Sequence, residues 1–454
     1  MIPANDFTIP VPDDKRKALV RAWLWLGLLA LLGSGVFSIL LVLSRTPHVH
    51  ELIPWVNFFH TALVVHVDLS VLVWFLAFAG VLWSLNSTPR FILLGWAALA
   101  LSALGTLIIS LAPFLGAGNA LMSNYIPVLQ HPIFYVGLLI FASGMFLLVW
   151  RSMSAIPLVG QAMSGTGALR FGLNTTAVSA VMAIVAFAWT YFMIPDFVEG
   201  RAYFELLFWG GGHVLQFTYT LLLLVAWLWL ASASNVNLPL TPRVTLIFFA
   251  IGLFAVFLTP LIYYSYSVTS VEHIKLFTWL MRYGGSLASL PLGLAVFYGL
   301  LISQKAQEAN RPYRSALISS MILFGVGGLI GFFIQGTNVT IPAHYHGSIV
   351  GVTLALMGLT YVLLPQLGYS HPRLRMAYLQ PYLYGGGQLL HVSGLVWSGG
   401  YGVQRKVAGT AQVLDGLEKQ IAMGIMGLGG LIAIIGGVIF VFIVLEAMLA
   451  PKKT

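Results

Sequence analysis

Twelve apolar stretches run the length of this chain, centred near residues 30, 70, 102, 141, 184, 219, 254, 290, 324, 356, 388 and 435. Each holds roughly 20 to 28 residues, the length a somewhat tilted helix needs to cross a bilayer. Hydrocarbon offers the backbone no water, so a lipid-exposed span has to close its hydrogen bonds within itself or in a sealed barrel. Apolar runs of this length are helices. The sequence therefore predicts an all-α polytopic membrane protein, with twelve transmembrane helices forming a single integral-membrane domain over residues 1–454. Composition leaves no soluble alternative: 59% of the residues are hydrophobic and 8% charged, where a soluble domain carries about 25% charged residues. The lipid bilayer is the first partner such a chain must have.

The absence of cysteine excludes disulfides, thiolate metal sites and iron–sulfur clusters. Any metal is left to histidine, carboxylate or tyrosine. The formal net charge of +9 does not point to nucleic acid, because the basic residues are scattered between the apolar runs and read as topology. The opening "MIPANDFTIPVPDDKRKALVRAW" reads as a short polar head entering the first span, not as a cleavable signal peptide. On the side of both termini lie Lys15, Arg16, Lys17, Arg21, Arg90, Arg151, Arg170, Arg243, Lys305, Arg311, Arg314, Arg373, Arg375, Lys452 and Lys453. The other side holds Arg45, Arg201, Lys275, Arg405, Lys406 and Lys419, with Arg282 inside the eighth segment. Fifteen against six predicts that both termini are cytoplasmic.

This topology assigns the histidines a depth. His66 lies in the second segment, His213 in the sixth, His344 and His346 at the start of the tenth, and His391 towards the end of the eleventh. All five are expected in the outer third of the membrane. In "IPAHYHGSIVGVTLALMGLTYVLLP", residues 341–365, helical geometry turns the two imidazoles about 200° apart with about 3 Å between their heights. Such a pair does not reach one metal from an unbroken helix, but it can serve two flat cofactors, one on each face. Haem iron takes axial imidazole readily, and His66 is the candidate second ligand for one of two haems. The plainer alternative, hydrogen bonds to neighbouring helices, explains single histidines but not five at one depth.

At these residues the chain resembles subunit I of the haem–copper oxidase superfamily, with the best likeness to its B-type branch and to related nitric oxide reductases. The resemblance covers nearly the whole chain. The "HYHG" motif implies that His344 holds a high-spin haem and His346 a low-spin haem, whose other ligand is His66 in "LVVHVDLSVLVW". "SNYIPVLQHPIFYVGL" resembles the B-type segment before the fourth helix. "LFWGGGHVLQF" implies a copper-facing His213, and "GYGVQRKV" implies that Arg405 and Lys406 hold haem propionates, an attraction between guanidinium or ammonium and carboxylate. The family further implies a bacterial or archaeal cytoplasmic membrane and a partner on the outer face, either cytochrome c or a subunit carrying copper A or cytochrome c. It implies electrons passing through the low-spin haem to the high-spin haem, which reduces dioxygen or nitric oxide.

The departures bear on that chemistry. Oxidases of the family place two adjacent histidines shortly after a threonine-proline in the seventh helix. Here that stretch is "FLTPLIYYSYSVTS", and the pair falls at about Tyr264 and Ser265. The tyrosine expected one turn after the sixth-helix histidine is replaced by Phe217. A copper ion on His213 alone would be poorly ligated, and iron would tolerate Tyr264 or a nearby carboxylate better than copper. The expectation is two haems and no ordinary three-histidine copper site.

Other polar residues are open to two readings each. Asp68, Arg282, Ser286 and Ser289 are the polar groups available for a proton path, and Asp68 could support the haem ligand His66 or relay protons, or simply pair with a nearby cation. Glu205, Glu272 and His273 could serve uptake from outside or sit in solvated loops. His391 is expected beside a haem without ligating it, or in helix packing. His48, His50 and His371 read as loop residues, and His60 and His131 as interfacial ones. The "GGG" runs at 210–212 and 385–387 permit close approach of a helix or a flat macrocycle. Three functions remain open on sequence alone: a reductase subunit, a dihaem cytochrome without copper used for electron transfer or gas-ligand binding, and a twelve-helix transporter without haem.

Overall fold

Long apolar runs without charged interruption leave the backbone one economical choice, and each predicted segment is a helix. The computed structural model describes residues 6–48, 58–116, 118–157 and 163–450. His50, Lys452 and Lys453 lie outside them. Among the described residues eleven helices are long and apolar enough to span a membrane. They are α1 (Lys15–Arg45), α2 (Phe59–Asn86), α3 (Ile92–Phe114), α4 (Pro132–Ser154), α5 (Gly165–Met193), α6 (Gly200–Ala233), α7 (Pro242–Ser265), α8 (Val271–Ile302), α9 (Glu308–Phe332), α10 (Thr340–Gln366) and α12 (Leu417–Leu449). The remaining expected span is α11 (Leu374–Gly400), 27 residues long. Gln380, Gln388, His391 and the Gly385–Gly387 run dilute its apolar content. The chain is an integral membrane protein of the expected architecture.

Three spans are irregular in their interiors. Asp68–Val73 in α2 and Leu280–Gly284 in α8 form π-turns. Ala255–Leu258 in α7 tightens to a 3₁₀ turn just before Pro260, whose ring cannot donate to the preceding turn. A short antiparallel pair, Ala120–Leu121 with Val128–Leu129, lies between α3 and α4.

The chain forms two compact units. The first comprises Met1–Gly27 and Leu72–Gln304. In it α3 packs on α4 and α5 on α6. Buried polar ties lock the end of α2 to α5: Trp83 Nε1 donates to Thr176 at 2.7 Å, and Asn86 to Asn174 at 2.7 Å. The residues before α1 are an extended strap, with Phe7 and Ile9 buried. The Phe7 amide donates to Ser232 and Thr166 donates to the Thr8 carbonyl. Asp14 accepts from the Arg16 amide at the start of α1, and the Arg16 guanidinium holds its carboxyl below the usual range.

The second unit comprises Leu28–Val71 and Lys305–Thr454. Here α9 pairs with α10 and α11 with α12. Glycine makes the first pairing close: a Cβ on Gly347 would stand 2.6 Å from the Gly327 Cα. Gln380 stitches α11 to both neighbours, accepting from the Tyr361 hydroxyl at 2.9 Å and donating to the Gly436 carbonyl at 3.2 Å.

Gly347→Val should therefore force α9 and α10 apart and cost about 1–3 kcal/mol. Gly328→Ala, where a Cβ meets nothing within 4 Å, should be neutral or slightly stabilising. Thermal unfolding of the purified protein in detergent compares the two, and equal melting temperatures would reject the close-packing argument.

Candidate functional site

The helices that carry most of the candidate histidines, α2, α6 and α10, are also the most enclosed of the spans. A buried imidazole needs partners for both nitrogens, and where its proton goes decides which nitrogen offers a lone pair.

In the second unit, His66 Nδ1 donates to the Ser34 carbonyl of α1 at 3.0 Å, with Ser34 Oγ also 3.0 Å away. His344 Nδ1 donates to the Gly327 carbonyl of α9 at 2.7 Å. His391 Nδ1 donates to the Met426 carbonyl of α12 at 2.9 Å. In all three the proton is assigned to Nδ1 by its carbonyl partner, so the lone pair is on Nε2. A metal-bound histidine is oriented in this way, its other nitrogen donating to a carbonyl.

His346 is different. Its ring lies 4.9 Å from that of His391, and His66 and Arg45 are within electrostatic range of it. The structure thus gathers His66, His346, His391 and Arg45, with His344 two residues along α10. The donor chemistry fits axial imidazole ligands to haem. Arg45 donates to the Gln412 side chain and the Gln404 carbonyl, both at 3.4 Å. Arg405 and Arg45 both act electrostatically on Tyr345. Lys406 follows Arg405 with a left-handed backbone, φ +61°, and its carbonyl accepts from His60 Nε2 at 2.9 Å. His60 therefore has a structural contact of its own.

Asp68, two residues past His66, is fully buried, and among the described residues neither of its carboxylate oxygens has a hydrogen-bond partner. Of its two sequence readings, pairing with a nearby cation is not present among the described residues.

His213 sits in the first unit and its surroundings are aromatic. Nδ1 donates to the Trp209 carbonyl one turn earlier, at 2.7 Å. The Tyr125 hydroxyl is 2.9 Å from both ring nitrogens, and Nδ1 is already committed to the Trp209 carbonyl. Nε2 is the nitrogen left to accept its proton. Burial, reinforced by the Glu205 carboxylate, pushes the Tyr125 phenol well up, so it remains a neutral donor. The rings of Trp209 and Phe277 lie 4.8 and 6.1 Å from that of His213.

The "GGG" run at 210–212 explains this cage. A Cβ at Gly210 would meet the Tyr263 hydroxyl, at Gly211 the Phe187 ring and at Gly212 the Tyr125 ring. Side-chain rings, not a macrocycle, use the space these glycines leave.

The donor set does not fit copper. Tyr264, expected as an oxygen ligand, is 88% exposed. Its buried neighbour Tyr263 bonds the Thr190 hydroxyl at 2.6 Å and donates to the Ala186 carbonyl at 3.0 Å. No group of three or more His, Cys, Asp or Glu able to hold a metal occurs among the described residues.

Other expectations resolve individually. His273 is buried and stacks edge-on against Tyr263 at 4.9 Å, whereas Glu272 is exposed. Glu205 accepts from the Asn124 amide at 3.1 Å and pairs with Arg201 at 3.7 Å. His131 caps α4 by accepting from the Ile133 amide at 3.2 Å. His48 and His371 are exposed. Sequence reasoning missed Tyr125 and the carbonyl tethers. The glycines opposite Tyr125 were the available signal, but they do not say which ring they receive.

Tyr125→Phe removes the proton donated to His213 and should cost about 1–2 kcal/mol, the penalty of an unsatisfied buried acceptor. Tyr264→Phe should change stability by less than about 0.5 kcal/mol, as exposed substitutions do. Thermal or chemical unfolding distinguishes them, and equal losses would remove Tyr125 from the His213 cage.

Comparison with known proteins identifies the lineage. The profile of the family "Cytochrome C and Quinol oxidase polypeptide I" matches residues 18–439. An uncharacterized protein of Rickettsia prowazekii (strain Madrid E) is 30% identical over 96% of this chain and 97% of its own length. An uncharacterized protein of Aquifex aeolicus (strain VF5) is 31% identical over 76% of this chain and 85% of its own. The fold is similar to that in a cryo-EM structure of a heme-copper terminal oxidase dimer, with a TM-score of 0.76 and 17% identity, covering 98% of this chain and 86% of that one. The chain belongs to the haem–copper oxidase subunit I family.

Proposed function

We propose that this chain is the haem-carrying subunit of a respiratory membrane complex, with a low-spin haem held between His66 and His346 and a second haem held by His344. When bound, these groups supply one-electron transfer and, at the iron with a single protein ligand, a position for a diatomic ligand such as dioxygen or nitric oxide. The observation that carries the reading is the shared tether: His66 and His344 each commit Nδ1–H to a carbonyl of an adjacent helix. Each then presents Nε2 as the basic nitrogen. Arg45, Arg405 and Lys406 supply positive charge for haem carboxylates. His391 orients beside His346 and is a neighbour of the ligand pair, not a member of it.

His213 favours the copper-less dihaem form over a complete oxidase centre. Its donor set is one imidazole hydrogen-bonded to a phenol, and Tyr264 does not join it. Any reduction of dioxygen or nitric oxide would then take place at the His344 haem without copper on His213. Electrons would arrive from cytochrome c or a subunit carrying copper A or cytochrome c on the outer face of a bacterial or archaeal cytoplasmic membrane.

The test is the visible spectrum and metal content of the purified protein. Two haems per chain are expected, with far less than one copper per two haems. His66→Ala and His346→Ala should each remove the low-spin spectrum and spare the other haem, and His344→Ala should do the reverse. His391→Ala should keep both. A colourless protein would sink the proposal, and a full copper equivalent would restore the oxidase reading.

A further inference from the structure

At the end of the second unit opposite His344, where α9 and α11 both begin, a cavity of about 360 Å³ is lined by Glu308, Arg311, Leu374, Arg375, Tyr378 and Leu379. Among the described residues neither Arg311 nor Arg375 forms an ion pair, although Glu308 lines the same cavity. Their neighbour Arg373 shows the contrast, since it is paired with Glu446. Two guanidiniums and one carboxylate leave one positive charge uncompensated. α11 also starts without a side-chain cap, so its first amides add positive potential at the same place.

Below the arginines the surface is apolar. On α11, Arg375 heads an exposed stripe that continues through Leu379, Tyr382 and Leu383 to Gly386, where a Cβ would meet nothing within 4 Å. On α9 the exposed apolar positions Ile322 and Leu329 begin about three turns below Arg311, after Arg314 and the half-buried Ile318. The α11 spacing follows the helical repeat, so that stripe is one continuous face. Guanidinium at the membrane surface above an apolar wall is the arrangement that an anionic headgroup with its acyl chains would complement.

We propose that this cavity binds the phosphate of an anionic phospholipid, with Arg311 and Arg375 on the phosphodiester and the acyl chains along the α11 stripe and the apolar positions of α9. A phosphodiester carries the single negative charge that neutralises the cavity. Glu308 faces the rest of the headgroup, where it accepts hydrogen bonds from headgroup hydroxyls. Free phosphate could use the arginines but would leave the apolar surface bare.

The full-length protein, delipidated in detergent, is titrated with phosphatidylglycerol or phosphatidylcholine and bound lipid is counted by native mass spectrometry. The wild type should retain one phosphatidylglycerol in preference to phosphatidylcholine. Arg311→Gln/Arg375→Gln should weaken that retention about ten-fold or more, whereas Arg90→Gln should leave it unchanged. Unfolding temperatures establish that each variant is folded. If the double variant is not, Arg311→Gln and Arg375→Gln singly should each weaken retention several-fold. Excess inorganic phosphate should not displace the lipid. Equal retention by wild type and folded variants overturns the proposal. Displacement by inorganic phosphate overturns it in favour of a small-anion site.

Discussion

A neutral imidazole in a membrane interior offers one lone pair, and it offers it in a defined direction only when the other nitrogen has placed its proton. That requirement organises the second unit. His66, His344 and His391 each reach a carbonyl on the next helix, supplied by Ser34, Gly327 and Met426. Helix carbonyls are normally engaged within their own helix, so a second donor has to come close to the backbone. Gly327 and Gly347 bring α9 against α10. The backbone at His391 lies where a Cβ on Gly429 would stand. The same close approaches that pack the helices also aim the imidazoles.

His213 shows the rule applied differently. Its proton goes to Trp209 on its own helix, so no neighbouring helix has to approach. The space around it is taken by rings that the three preceding glycines admit. The position that the family resemblance marks as copper-facing lies in a packed aromatic pocket holding one imidazole and one phenol. Burial keeps that phenol protonated, which makes it a hydrogen-bond donor and a poor metal ligand.

Much of this was legible in the residues, for identifiable reasons. Apolar length alone predicts the spans, because hydrocarbon permits few backbone solutions. α11 is legible as one of the twelve apolar stretches even though Gln380, Gln388 and its glycines dilute its apolar content. The "HYHG" and "WGGGH" stretches single out His344, His346 and His213 as candidates. Tyr264 illustrates the limit. Counting from Thr259–Pro260 reaches it, but one helical step separates it from its neighbour, and it is Tyr263 that is buried while Tyr264 is exposed. Glu272 and His273 are adjacent in sequence, yet one helical step separates an exposed side chain from a buried one. Tyr125 lies in a loop, where no periodicity says which way a ring turns.

The sequence by itself determined that this is a helical membrane protein of the haem–copper oxidase subunit I lineage and which imidazoles are available to it. Those properties depend on residue type and on spacing along one helix, both of which are local. Only the tertiary structure decided where each imidazole proton goes, which of two adjacent tyrosines is buried and what fills the space around His213. Those outcomes depend on contacts between residues as far apart as Ser34 and His66 or Tyr125 and His213, and distance through space is not encoded in the order of residues.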